Sequence, residues 1–173
     1  MSAIHRWARG VAFARTGRVD EALREQALFE ASRERVPDDL PLVGNNRAPA
    51  VLAVASGVLA GEIAAARGSV DDAVAALRQA VEAEDALAYG EPPDWPIPAR
   101  HVLGAVLIAA GRPAEAESVY REDLRRYPEN GWALFGLAES LQMQGRGAEA
   151  NAARERFRRA FARADVTLTA SRY

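Results

Sequence analysis

The amino-acid sequence predicts an all-α chain of stacked helical hairpins, and three observations carry that prediction. A short glycine turn is followed five residues later by alanine four times over: Gly17 and Ala22 in TGRVDEAL, Gly68 and Ala73 in RGSVDDAV, Gly111 and Ala116 in AGRPAEAE, Gly145 and Ala150 in QGRGAEAN. Each block is flanked on both sides by a stretch that reads as helix, so every hydrophobic face finds cover only on a neighbouring hairpin. Hydrophobic residues make up 49% of the chain with few aromatics, and alanine dominates the helical stretches, which favours closely packed helices over a sheet of β-branched residues.

Residues 3–15 read as a first helix closed at Thr16-Gly17, and 19–34 as its partner, with Asp20 and Glu21 in the first turn where carboxylates suit the helix dipole. The stretch VPDDLPLVGNNRAP, with prolines at 37, 41 and 49 and the triplet Gly44-Asn45-Asn46, marks a long connection. Residues 49–66 and 70–89 form a second hairpin around Gly68, with Ser69 and Asp72 as an acidic form of the capping box. The segment GEPPDWPIP, Gly90 to Pro98, carries four prolines between positions 92 and 98 and cannot be helical. Residues 99–110 and 113–126 form the third hairpin with Pro113 in a first turn, and 132–144 and 147–164 form the fourth. The closing VTLTASRY has no helical period and is either frayed or docked along the last helix. The hairpins therefore cover about 3–34, 49–89, 97–126 and 132–164, with a tail over 165–173, in one domain spanning residues 1–173.

Small residues explain how such hairpins close. Gly10, Gly61, Gly104 and Ala138 each lie seven residues before their turn glycine, where a small side chain lets paired helices approach, and Ala22, Ala73, Ala116 and Ala150 are expected to supply the opposing small surface.

Charge and composition exclude more than they name. All 22 basic residues are arginine against 24 acidic ones, and a net charge of −2 gives no global pull toward nucleic acid or an anionic membrane. With no cysteine there is no disulfide, thiolate nucleophile or thiolate zinc site. The opening MSAIHRWARGVAF lacks a long apolar core behind a basic end, and the most apolar run, Ala48 to Ala60, is broken by Pro49, Ser56 and Gly57, so no membrane span and a cytoplasmic location are expected.

The turn glycines are 51, 43 and 34 residues apart, and the last interval equals the tetratricopeptide period, the first two being that unit plus insertions. The chain resembles the tetratricopeptide repeat family in Leu103-Gly104, Leu107, Gly111, Ala116, Tyr120 and Pro128, and again in Leu134, Leu137, Ala138, Leu141, Gly145, Ala150 and Phe157. Gly10, Phe13, Gly17 and Ala22 also fit the pattern, whereas Gln26 and Ala64 stand where the family has larger apolar residues. The stretches YGEPPDWPIPARHVLG, RYPENGWALFGL and ADVTLTASRY look like the C-terminal end of larger bacterial members.

The resemblance implies an α-solenoid of about four hairpins with two loop insertions, binding a protein or peptide segment along a concave surface. That surface would display Trp7, Val11, Ala14 and Arg15, then Val58 and Glu62, then His101 and Ile108, then Trp132, Phe135, Glu139 and Met143. Lysine and asparagine are absent from this set, so a clamp for a C-terminal carboxylate is not expected, and an amphipathic helix, an extended peptide, the chain's own tail or a second copy fit better. Trp132 and Phe135 have a second reading as packing residues of the last hairpin, which the preference of aromatics for cores favours.

The insertion over 90–100 offers a local alternative. Glu91, Asp94, Trp95 and Arg100 around rigid prolines would make either a preformed recognition loop, with His101 beside Glu91, Trp95 and Arg100 for a small ligand or an enzymatic site, or a bridge between hairpins with Trp95 as a packing lid. Prolines and a tryptophan are what a buried bridge requires, which favours the bridge. His5 and His101 are the only histidines and sit far apart, so no catalytic centre, metal site or cofactor is expected. Arg154, Arg156, Arg158, Arg159 and Arg163 spread around the face left by Ala150, Ala153, Phe157, Ala160, Phe161 and Ala164, which reads as the polar side of a terminal helix and not as a nucleic-acid stripe. A non-catalytic interaction scaffold follows, with a purely structural role as the end of a larger solenoid as the remaining rival.

Overall fold

The computed structural model describes residues 2–42 and 44–172, so the last residue of the predicted tail lies outside the described residues. Eight helices run through the described residues: α1 (Ala3–Arg15), α2 (Val19–Arg33), α3 (Ala48–Ala66), α4 (Val70–Asp85), α5 (Ala99–Ala109), α6 (Pro113–Arg126), α7 (Gly131–Met143) and α8 (Gly147–Ala160). The only extended pairing among them is a single antiparallel bridge between Pro41 and Arg47. The chain divides into two compact units, Met1–Ala99 and Arg100–Tyr173.

Each turn glycine takes the left-handed backbone, with φ of 75° at Gly17, 76° at Gly68, 70° at Gly111 and 73° at Gly145. That conformation lets the next residue donate back across the helix end: Arg18 to the Phe13 carbonyl, Ser69 to Ala64, Arg112 to Leu107 and Arg146 to Leu141, all at 2.9 to 3.0 Å. A Cβ would strain this closure, which is why the recurring residue is glycine.

In the first unit α3 is the central helix, packed against α1, α2 and α4. It is long and apolar enough to cross a membrane by length and composition, yet Val54, Ala55 and Leu59 are fully buried in this packing, as a core helix requires. In the second unit α7 packs against both α6 and α8. Ser2 caps α1 by accepting from the His5 amide, and Asn130 caps α7 by accepting from the Trp132 and Ala133 amides.

Several expectations need correction. Helix α4 stops at Asp85, four residues early, because Asn46 Oδ1 takes the Ala88 amide while the Asn46 and Asn45 side chains donate to the carbonyls of Ala88 and Tyr89. Helix α8 stops at Ala160, and Phe161 turns back to lie edge-on to Trp132. Ser69 is the N-cap of α4, but its side chain makes no capping bond, so the capping box does not form. The four alanines are fully buried as expected, but they are not what lies nearest the glycines. A Cβ on Gly61 would meet Leu77, one on Gly104 would meet Tyr120, and one on Gly10 would meet Leu59 of the next hairpin. Large side chains notch into the glycines, so the packing is large into small.

Candidate binding surfaces

The two insertions fold onto each other in the first unit. Asn46 donates to Asp94 Oδ2 at 2.9 Å as well as holding the 88–89 backbone, and Gly44 lies so close under the Asp94 carboxylate that no Cβ fits there. Clamped this way, the segment 94–97 becomes one wall of a cavity of about 420 Å³ whose other walls are the start of α1 and the start of α3. Ile4, Trp7, Val51, Leu52, Trp95 and Ile97 give it an apolar lining, and Asp94 brings the one charged side chain. Trp7 and Trp95 meet edge to face, centroids 5.1 Å apart and planes at 75°. Both are buried, and both indole N–H groups lack a hydrogen-bond partner. An unpaired buried donor of this kind costs about 1 to 3 kcal/mol.

The second unit is organised around Tyr120, which is fully buried. Its ring fills the space left by Gly104 of α5 and Gly136 of α7. Burial pushes the phenol's pKa well up, and its hydroxyl meets the Ser171 hydroxyl at 2.5 Å. The tail therefore returns to α6, not along α8, and Ser171 is buried at 3% exposure. Nearby in sequence, His101 Nε2 lies 3.3 Å from Asp123 Oδ2, both side chains buried, with His101 Nδ1 and Asp123 Oδ1 unpartnered. Among the described residues no group of three or more metal-ligating side chains comes together.

A further hollow of about 250 Å³ lies between α7 and α8, lined by Phe135, Ala138, Glu139, Arg154, Phe157 and Arg158. Phe135 and Phe157 stand edge to face at 5.7 Å. The arginines of α8 are paired: Arg154 with Glu139, Arg156 with Glu129, and Arg158 and Arg159 with Glu155.

The residues predicted for a groove fall into two groups. Trp7, Val11, Ala14, Val58, Glu62 and His101 are buried. Arg15 spends its guanidinium on Glu62, with Nη2 at 2.6 Å and Nε at 3.0 Å from Oε1, tying α1 to α3. Ile108, Trp132, Phe135 and Glu139 are partly exposed, and Met143 is 49% exposed. In the loop, Glu91 is exposed and accepts from the Tyr89 hydroxyl, Trp95 is buried on Trp7 of α1, and Arg100 is buried. The structure thus joins Trp7 with Trp95, and Phe135 with Glu139. Sequence reasoning missed the clamp made by Asn45 and Asn46, which it took as turn residues alone, and the seat of Ser171 on Tyr120.

The tetratricopeptide repeat family matches the chain over residues 107–164 and again over residues 3–25. The chain carries tetratricopeptide repeats. No curated protein matches it. Among solved structures, MamA AMB-1 aligns over 95% of this chain and 94% of its own, with 19% identity and a TM-score of 0.54. A MamA mutant aligns over 92% and 98% with 24% identity and a TM-score of 0.48. MamA MSR-1 aligns over 93% and 97% with 18% identity and a TM-score of 0.47. At 19% identity the likeness to MamA AMB-1 is one of fold, in the all-α helical-repeat class. Tetratricopeptide repeats serve in general as protein-interaction scaffolds, typically without catalysis, and the arrangement of this tetratricopeptide-repeat chain agrees with that general role.

Proposed function

We propose that this chain is a non-catalytic interaction module whose second unit holds an extended peptide segment against Tyr120. One observation carries the reading: the irregular tail beyond α8 comes back to bury Ser171 on the Tyr120 hydroxyl, so the unit already seats a stretch of non-helical chain. The glycines at 104 and 136 make room for the tyrosine ring, and the ring presents one polar atom to the segment lying on it. Extended segments gain affinity from such fixed polar contacts flanked by apolar ones.

The test uses the chain's own tail. A chain ending at Ala164 is titrated with a synthetic peptide of residues 165–173. Saturable binding is expected, weakened roughly fivefold by Ser171→Ala in the peptide, as loss of one hydroxyl hydrogen bond implies. A shortened chain that keeps its helicity but binds the peptide no better than a scrambled one would falsify the reading.

A further inference from the structure

The seat on Tyr120 is occupied by the end of the same chain, and the hold is lopsided. Ser171 is buried, its hydroxyl 2.5 Å from that of Tyr120. Leu168, Ala170 and Arg172 around it are half-buried, whereas residues 162–167 are exposed, Val166 to 57%. Among the described residues, none of 165–170 is hydrogen-bonded. The tail is therefore fastened near its far end and loose along its length, and swinging it away breaks no helix. What it would uncover keeps its shape, because the Tyr120 ring stays between Gly104 and Gly136, with its hydroxyl flanked by Asp123.

We infer that the tail is an autoinhibitory strap: residues 165–173 close the Tyr120 seat, and a partner segment enters only in exchange for Ser171, by laying a serine of its own on the Tyr120 hydroxyl. The inference rests on the peptide seat proposed above and adds that the seat is shut in the free chain. Two segments cannot share it, since Ser171 is 3% exposed and takes the one hydroxyl the ring presents. A serine is asked of the incoming segment because a larger side chain has no room in a place so enclosed, and an alanine leaves the buried phenol without its hydrogen bond. The tether sets the strength of the closure. A tail on a short flexible linker has an effective concentration on the order of 1 mM, so a tail that binds at about 0.1 mM raises the apparent Kd of any competitor about tenfold.

The probe is a fluorescently labelled peptide of residues 165–173, titrated by anisotropy into the full chain and into full-chain variants. Ser171→Leu removes the hydroxyl and adds bulk, Ser171→Ala removes the hydroxyl alone, and neither touches a helix. The probe is expected to bind Ser171→Leu about tenfold more tightly than the parent, and Ser171→Ala about threefold, as a roughly fivefold weaker tail implies. Tyr120→Phe added to Ser171→Leu keeps the ring without its hydroxyl and is expected to weaken the probe about fivefold. If parent, Ser171→Ala and Ser171→Leu all bind within about twofold of one another while Tyr120→Phe still weakens the probe, the strap is overturned and the seat stands. A probe that binds none of these chains, or binds as well with Tyr120→Phe as without it, overturns the seat and the strap together.

Discussion

The two units face their glycines with different neighbours. In the first, Gly10 lies against the methyl ends of Leu59 and Gly61 against Leu77, so aliphatic side chains fill the notches. In the second, Gly104 and Gly136 both lie against the ring of one residue, Tyr120. An aliphatic side chain can shift a methyl group by a rotamer change, whereas a planar ring held from two sides has nowhere to go. The first unit also carries both insertions, and the second has only a tail that returns to Tyr120. One unit therefore has an adjustable helix core with an added wall, and the other has a core pinned on a single aromatic.

The largest effect is expected where the added wall meets the first unit's core. Trp95→Ala removes a buried ring from Trp7, a change that costs about 3 to 5 kcal/mol in other cores. Removal of an unpaired buried N–H gives back about 1 to 3 kcal/mol, leaving a net loss of about 2 kcal/mol. Chemical denaturation measures it. A loss below about 1 kcal/mol would mean that the 94–97 wall is an ornament on a self-sufficient core, and the contrast between the units would lose its first half.

A smaller effect tests the second half. Gly136→Ala places a Cβ into the Tyr120 ring, and overpacking of this kind costs about 2 kcal/mol. Gly10→Ala meets only the flexible end of Leu59, first at 2.8 Å, and the helix-propensity gain of alanine over glycine, about 1 kcal/mol, offsets much of the strain. Both glycines lie inside helices, so that gain applies to both variants, and the expected difference between them, about 1 kcal/mol, reports strain alone in the same denaturation experiment. Equal losses would show that Tyr120 yields as easily as leucine.

How much of this was legible in the sequence depends on the range of the interaction. The turns were, because Gly17, Gly68, Gly111 and Gly145 act through φ and a hydrogen bond to the preceding helix, which are local. So were the fully buried Ala22, Ala73, Ala116 and Ala150, set by the repeat period. The end of α4 was not, since it is decided by Asn45 and Asn46 more than 40 residues away in the chain, and nothing near Asp85 signals it. The same reason hid the cavity: Trp7 and Trp95 meet only because two loops dock through Asn46 and Asp94. Six of the residues projected onto an open groove proved buried because a repeat register fixes which side of a helix a residue occupies, not what later chain covers it.

The smallest expected effect concerns charge in the second unit. Glu117 of α6 receives Gln144 at 2.8 Å, Arg121 at 2.8 Å and Arg146 at 2.6 Å. Burial alone would raise its carboxyl, but these donors outweigh burial and hold it below the ordinary value of 4.5, while Arg146 likewise holds Glu149 down. A depressed folded-state value means the ionised form is preferred by the fold, so its stabilisation is complete above about pH 4.5 and is lost as pH falls through the lower folded value. Part of the cluster is open to water, which limits the contribution to no more than about 1 kcal/mol. Glu117→Gln is therefore expected to melt slightly below the parent chain at neutral pH, with the gap closing as pH drops toward 3. Because Glu149 titrates in both proteins, the difference between the two curves, and not either curve alone, reports Glu117. A gap that persists unchanged in acid would mean that Glu117 acts by shape and neutral hydrogen bonding, and that the second unit's hold on α7 owes nothing to its arginines.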